Sequence, residues 1–197
     1  MEKDMNQDNV KKAAKGVGIG IGVVLVVAVL GIAGAFIFLM NSGKSVGKNV
    51  SFAEFEMTSL DQQSTMTQED IKDHKLTVIN LWQTTCSGCI NEMPDLEELS
   101  KEYEGQVQFV GICTDPVEKG GMDQTLLEQA QSIVAACSVT YPQMLPSKQV
   151  TEIMGDIYAY PVSFLVDSQG RVLDSISGSR SKDAWNKIIA ENLAKTE

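Results

Sequence analysis

The chain has 197 residues, of which 43% are hydrophobic and 21% are charged, and its net charge is −10. This is the composition of a folded protein, and the length fits one domain of ordinary size with an appendage. Residues 1–49 contain six lysines and three acidic residues, so residues 50–197 carry a net charge of −13. Because an acidic domain repels phosphate groups, we exclude nucleic acid as a partner.

An apolar stretch at residues 17–40 contains no charged side chain. At about 1.5 Å of rise per residue, a helix of this length crosses a hydrocarbon core of roughly 30 Å. The alternative is a cleaved signal peptide, with Ala33-Gly34-Ala35 as the cleavage site. The apolar run continues past that site and is longer than the core of an ordinary signal peptide. We therefore expect a retained transmembrane anchor.

The lysines around the apolar stretch predict its orientation. Four lysines precede it and two follow it, and the positive-inside tendency then leaves the N-terminus in the cytoplasm. The predicted layout is a cytoplasmic tail at residues 1–16, a single-pass anchor in the cytoplasmic membrane at 17–40, a linker at 41–49 and an extracytoplasmic domain at 50–197.

The apolar pattern of this domain predicts strands that alternate with helices. Residues 51–57 alternate loosely, which predicts an edge strand, and residues 67–70 have the pattern of a capping box that opens a short helix ending near His74. The later predicted elements are a central strand at 76–82, a helix at 87–103, a strand at 107–113, a helix at 123–136, an extended piece at 141–145, a short helix at 147–154, a hairpin of 161–166 with 171–176, and a helix at 181–194. This order indicates an α/β fold with a mixed sheet flanked by helices.

Two cysteines, Cys86 and Cys89, lie at the junction between the central strand and the next helix, separated by Ser87-Gly88. That position places the first sulfur at a helix N-terminus, where unpaired N–H groups and the positive end of the helix dipole favour the thiolate. The thiolate is the nucleophile of thiol–disulfide exchange, and the second cysteine lies one turn away. The motif therefore predicts a redox-active pair in which Cys86 attacks and Cys89 resolves.

The same spacing also occurs in zinc half-sites and, less often, in purely structural disulfides. A structural zinc site takes four ligands, and the other candidates, Cys113, Cys137 and His74, form no second paired motif. We expect no metal and no cofactor. Cys113 ends a strand on the edge that carries the dithiol, whereas the helix before Cys137 runs back by about 20 Å. Since a disulfide needs Cα atoms within about 7 Å, we expect two mostly buried free thiols.

The segment at residues 80–89 resembles the active-site signature of thioredoxin-fold proteins. More narrowly, it resembles the membrane-anchored TlpA/ResA type of extracytoplasmic thiol–disulfide oxidoreductase. Glu92-Met93-Pro94 continues that pattern, and residues 160–170 are similar to the family's proline-plus-hairpin block. The resemblance extends over residues 50–195 and rests on these two separate segments. The chain departs from the pattern at Thr85, where many members have Trp.

The resemblance implies a thioredoxin-like three-layer sandwich and gives roles to residues beyond the dithiol. Pro161 would be a cis-proline packed beside the CxxC motif. Tyr160 would lend its backbone to a bound cysteine substrate, and Trp82 would also contribute to substrate binding. Glu92 would exchange protons with the resolving thiol of Cys89, because one helical turn separates the two residues. The alternative for Glu92 is a solvated side chain on the helix surface.

The function implied by the resemblance is reduction of disulfides in cysteine-containing proteins, oxidised apocytochrome c among them. A membrane electron-transfer thiol protein would be the redox partner. One alternative is a thiol peroxidase of the same fold, which needs an arginine beside its nucleophile; Arg171 and Arg180, the only arginines, lie late in the chain. The other is a tethered binding or metal-delivery module, whose relatives space their cysteines by three residues and add a later histidine.

Overall fold

A computed structural model describes residues 50–118, 121–154, 157 and 159–196 of the chain. The predicted tail, anchor and linker at residues 1–49 lie outside this part. Among the residues that it describes, no helix has the length and apolar character needed to cross a membrane.

The described residues form a seven-stranded sheet, a two-stranded sheet and five helices. The elements are β1 (Glu56–Ser59), β2 (Thr65–Thr67), α1 (Gln68–Lys72), β3 (Leu76–Trp82), α2 (Ser87–Glu102), β4 (Val107–Cys113), β5 (Val117–Glu118), β6 (Gly121–Met122), α3 (Gln124–Ala136), β7 (Gln143–Leu145), α4 (Lys148–Met154), β8 (Val162–Asp167), β9 (Val172–Ser177) and α5 (Lys182–Leu193). The larger sheet has the order β2-β1-β7-β4-β3-β8-β9, and the smaller sheet pairs β5 with β6.

Strand β3 lies in the interior of the larger sheet, between β4 and β8, and all seven of its residues are buried. It pairs in parallel with β4, in a register that places Trp82 beside Cys113, and antiparallel with β8 on its other side. The prediction of a mixed sheet is therefore confirmed. Because β3 and β4 are parallel, their carboxyl ends meet at one edge, and α2 begins at that edge.

Apolar side chains cover both faces of the sheet, because successive residues of a buried strand point to opposite sides. On one face, Leu76 and Val78 of β3 pack with Leu96 of α2 and Trp185 of α5. On the other face, residues of β3 and β8 pack with residues of α1 and α4, in the cluster of Ile71, Ile79, Leu81, Val150, Phe164 and Val166. Helices thus lie on both sides of the sheet.

The structure differs from the sequence prediction at the first strand and at three short strands. The predicted strand at 51–57 begins later, at Glu56, because Phe52 and Phe55 are both buried at a spacing of three, which an alternating strand does not allow. Phe52 instead lies in an irregular segment, where its N–H donates to the carbonyl of Gly170 at 2.7 Å. Strands β2, β5 and β6 were not predicted; they have three, two and two residues, too few to show a period.

Candidate active site

Cys86 and Cys89 form a disulfide, with their sulfur atoms 2.07 Å apart and their Cα atoms 5.3 Å apart. Cys86 is the N-cap of α2, and its sulfur accepts a hydrogen bond from the backbone N–H of Cys89 at 3.2 Å. Cys86 is half-buried, whereas Cys89 is only 1% exposed. A partner molecule therefore reaches the first sulfur, and the helix N-terminus favours a negative charge on it.

Pro161 lies beside the motif, although 72 residues separate it from Cys89 in the sequence. The Tyr160–Pro161 peptide bond is cis. A Cβ atom added to Gly88 would lie 3.9 Å from Pro161 Cδ and 3.5 Å from Ser179 Oγ. The loop after β9 is tied to this position, because the N–H of Gly178 donates to the carbonyl of Pro161 at 2.8 Å. The antiparallel pairing of β8 with β3 brings these segments to the edge where α2 begins.

Glu92 is a buried side chain of α2, with 3% of its surface exposed. One carboxylate oxygen, Oε1, accepts hydrogen bonds of 2.6 Å from the backbone N–H of Arg180 and from the indole N–H of Trp185. The other oxygen, Oε2, is buried and accepts no hydrogen bond from the described residues. Burial raises the pKa of the Glu92 carboxyl above its ordinary value. The alternative of a solvated surface glutamate is wrong.

Trp82 is fully buried, so the expectation that it contributes to substrate binding is wrong for direct contact. Its indole N–H donates to Gln143 Oε1 at 2.9 Å. Gln143 belongs to β7, and its side chain occupies the place that a side chain at Gly111 would fill. The absence of a side chain at Gly111 thus lets Gln143 reach across β4 and fix the end of β3. Nothing in the sequence near Trp82 indicates this contact.

Cys113 and Cys137 are free thiols, as predicted. Cys113 is fully buried and donates to a carboxylate oxygen of Asp115 at 3.3 Å, and burial followed by the Asp115 charge raises its pKa. Cys137 is half-buried rather than mostly buried, and burial raises its pKa as well. Both thiols are thus held in the unreactive protonated form.

The position of Cys137 has a local cause in α2. A proline has no N–H, so Pro94 leaves the carbonyl of Ile90, four residues earlier, without its helical donor. The thiol of Cys137 donates to that carbonyl at 3.8 Å. Cys137 therefore lies against the first turns of α2, which the predicted course of α3 away from the dithiol did not anticipate.

The structure also places His74 and Arg180, which the sequence named only as candidates for a metal site and for a peroxidase arginine. His74 is half-buried beyond the end of α1, and no group of three or more His, Cys, Asp and Glu side chains among the described residues is arranged to hold a metal ion. Arg180, late in the sequence, is close to the motif in space, since a Cβ atom added to Gly88 would lie 3.5 Å from Oγ of the neighbouring Ser179. The guanidinium of Arg180 donates to the carbonyls of Gly178 and Ser179 at 3.0 and 2.9 Å.

The fold and the site together define a class of protein. A CxxC disulfide at the N-terminus of a helix, beside a cis-proline at the start of the antiparallel strand, is the arrangement of a thioredoxin-like thiol–disulfide oxidoreductase. The chain belongs to the Redoxin family, whose sequence model matches residues 43–193.

The relatives agree with this class and with the predicted resemblance. The chain is 26% identical to the thiol:disulfide interchange protein HelX of Rhodobacter capsulatus, over 84% of this chain and 91% of that protein. It is 28% identical to the thiol-disulfide oxidoreductase ResA of Bacillus cereus, over 58% of this chain and 61% of that protein. A thioredoxin-family thiol:disulfide interchange protein from Chlorobium tepidum has the same fold, with a TM-score of 0.60 and 24% identity over 73% of this chain and 96% of that one.

Proposed function

We propose that the chain reduces disulfides of cysteine-containing proteins through the Cys86–Cys89 dithiol. The observation that carries this proposal is the pairing of a half-buried Cys86 at a helix N-terminus with a buried Cys89. The Cys86 thiolate attacks one sulfur of the substrate disulfide, and the other substrate sulfur leaves as a thiolate. Cys89 then attacks Cys86 Sγ, which closes the internal disulfide and releases the second substrate sulfur. Two electrons pass from the dithiol to the substrate.

The surface for the substrate is proposed at the cis-proline. Tyr160 is half-buried and packs against the cluster that contains Cys89, and Pro161 is buried beside Gly88 in the first turn of α2. A peptide bound here in an extended conformation pairs with the backbone of Tyr160, and its cysteine sulfur then lies over Cys86. The small residues between the two cysteines leave this approach open.

The proposed role of Glu92 is to take the proton of Cys89 when that thiol attacks. The two residues lie one turn apart on the same face of α2, both are buried, and Oε2 of Glu92 accepts no bond from the described residues. A carboxylate whose pKa is raised by burial is a stronger base than a solvated one, so it is suited to deprotonate a thiol.

The proposed location is outside the cytoplasmic membrane. The apolar stretch at residues 17–40 would be a retained single-pass anchor with residues 1–16 in the cytoplasm, and residues 41–49 would link it to the catalytic domain. An exchange protein in that position needs electrons from a membrane electron-transfer thiol protein, and we propose such a partner. The resemblance to the TlpA/ResA type supports oxidised apocytochrome c as a substrate.

Trapping of mixed disulfides tests this function directly. In the full chain carrying Cys89→Ala, Cys86 attacks a substrate, but no second thiol is present to release it. The variant should therefore accumulate covalent complexes whose disulfide bond a reductant cleaves. Non-reducing electrophoresis and mass spectrometry of cells that express the variant measure these complexes. The matched control is Cys137→Ala, which leaves the dithiol intact and should trap nothing. A Cys89→Ala chain that forms no complexes through Cys86 would contradict the proposed function.

Replacement of Glu92 by glutamine should separate its catalytic role from its effect on stability. The glutamine oxygen keeps both hydrogen bonds, but the side chain no longer accepts a proton, so release of glutathione from a Cys86 mixed disulfide should slow by about 10²-fold. Because the pKa of Glu92 is raised in the folded protein, its ionisation costs stability as the pH rises through that pKa. Glu92→Gln should therefore be more stable than the parent at neutral pH, by an amount that shrinks as the pH falls.

The control for this prediction is Glu98→Gln, on the same helix. Glu98 is exposed and forms an ion pair with Lys182 at 2.6 Å, so its loss should leave the rate of glutathione release unchanged. Stopped-flow kinetics and thermal melts across the acidic to neutral range measure both effects. Equal release rates in Glu92→Gln and Glu98→Gln would rule out the proton transfer.

A further inference from the structure

Asp115 is a buried carboxylate next to the loop that carries Cys86. It follows β4, and 8% of its surface is exposed. Its Oδ2 atom accepts hydrogen bonds from the backbone N–H of Thr84 at 2.9 Å and from the Thr84 hydroxyl at 2.5 Å. Its Oδ1 atom accepts the thiol proton of Cys113 at 3.3 Å. Three donors thus point at the two oxygens, so the carboxylate acts only as an acceptor in these bonds.

The register of the sheet brings Asp115 to this position. β3 and β4 end side by side, with Trp82 opposite Cys113, so the residues that follow the two strands are neighbours. The N–H of Thr114 donates to the carbonyl of Trp82 at 3.0 Å. Thr84 itself is 3% exposed. The loop between β3 and α2 is therefore held by β4 at its first residues, just before Cys86.

We propose that Asp115 is a positioning residue of the dithiol: it fixes the loop before Cys86, and its negative charge opposes the Cys86 thiolate and makes the dithiol a stronger reductant. This inference rests on the proposed function and concerns a residue that favours the action of the dithiol as a reductant. The α2 dipole favours the thiolate, and Asp115 limits that effect. The carboxylate is bonded to the Thr84 backbone, two residues from Cys86, and this bond places its charge near the dithiol.

The charge balance of reduction explains why the Asp115 charge should disfavour the reduced form of the dithiol. Reduction of the disulfide takes up two electrons and one proton, and yields the Cys86 thiolate and the Cys89 thiol. The disulfide is neutral, whereas the product has a negative charge on Cys86 Sγ. Two residues of extended chain span about 7 Å, so the Asp115 carboxylate lies within roughly 10 Å of Cys86. At that distance and an effective dielectric constant of about 20, the repulsion between two unit charges shifts a pKa by about one unit.

Other titratable groups lie in the same packed cluster as Cys86 or on the segments next to it, and they remain when Asp115 is changed. They are Cys89 and Glu92 on α2, Cys113 on β4, Cys137 after α3, Tyr160 before β8 and Arg180 after β9. Of these, Glu92 is bonded to Trp185 and to the Arg180 backbone, on the side of α2 that faces α5. Asp115 is bonded to the loop itself, so its charge acts on Cys86 from the other side.

The test uses the full chain with Asp115→Asn, Thr84→Val and the control Glu128→Gln. Asparagine keeps the shape and an accepting oxygen but removes the charge. Valine at position 84 removes one hydroxyl donor and leaves the Asp115 charge in place. Glu128 is exposed on α3, so Glu128→Gln removes one acidic charge that is in contact with solvent. The pH dependence of Cys86 alkylation gives the Cys86 pKa, and equilibration with glutathione gives the equilibrium constant for reduction.

We expect Asp115→Asn to lower the Cys86 pKa by about one unit and to raise the equilibrium constant for reduction by about tenfold, or about 30 mV, above that pKa. Thr84→Val and Glu128→Gln should produce neither change. An Asp115→Asn chain that matches Glu128→Gln in both quantities would overturn the inference. If the asparagine variant does not fold, Asp115→Ser removes the same charge in a smaller side chain and carries the same expectation.

The reference chain separates this inference from the proposed function. If the unmutated chain shows no disulfide exchange through Cys86, the proposed function fails. If it exchanges normally while Asp115→Asn leaves the Cys86 pKa unchanged, the inference about Asp115 fails alone.

Discussion

We expect that Cys86→Ser abolishes the reduction of protein disulfides by the full chain, with a rate at least about 10³-fold lower than that of the parent. A serine hydroxyl stays protonated at neutral pH and is a poor nucleophile toward sulfur, so no mixed disulfide forms. Cys89 cannot replace the missing thiol, because it is 1% exposed and a folded substrate cannot reach it. Turbidity or fluorescence assays with a disulfide-containing protein measure the loss.

Cys137→Ser is the matched control for this prediction. It makes the same chemical change at a half-buried cysteine, and the serine hydroxyl still offers a donor to the carbonyl of Ile90. Its rate should stay within about twofold of the parent, because the pKa of Cys137 is raised by burial and its thiol takes no part in exchange. Substantial residual activity in Cys86→Ser, or a comparable loss in Cys137→Ser, would refute the assignment of the nucleophile.

The local parts of the fold and site could be predicted from the sequence. β3 and β4 have the predicted bounds, because a run of mostly apolar and β-branched residues marks a strand buried on both faces. The change from strand to helix period predicts the CxxC pair at a helix N-terminus, where Cys86 is the N-cap. The helix that begins after Thr67 follows from a capping box, which the structure forms. Each of these signals lies within a few neighbouring residues.

The parts that could not be predicted depend on contacts between distant strands. Gln143 fixes Trp82 across β4 because Gly111 leaves room for it, and no local pattern marks that combination. Asp115 reaches Thr84 through the parallel register of β3 and β4. The late position of Arg180 in the sequence predicts no place beside the dithiol, yet its neighbour Ser179 lies beside Gly88. Sequence separation is a poor measure of distance where strand pairing decides which loops are neighbours.

The same dependence on distant contacts predicts that Gly170→Ala is strongly destabilising. Gly170 is in the turn between β8 and β9 with a φ of 77°, a left-handed conformation that costs alanine about 1–2 kcal/mol. A Cβ atom at this position would also lie closer than 3.0 Å to backbone atoms of Phe52 and Ala53, which cannot rotate away as a side chain would. The hydrogen bond from the Phe52 N–H to the Gly170 carbonyl must then break.

Gly105→Ala isolates the cost of that close approach. Gly105 has the same φ of 77°, but a Cβ atom there would meet nothing within 4 Å. We expect urea unfolding to give a loss of about 1 kcal/mol for Gly105→Ala and about 3 kcal/mol or more for Gly170→Ala, since overpacking adds about 1–3 kcal/mol to the backbone strain. Phe52 is fully buried against Phe164 of β8, so its displacement loosens the strand that begins beside Pro161. Equal losses in the two variants would show that the Phe52 segment yields freely and does not brace β8.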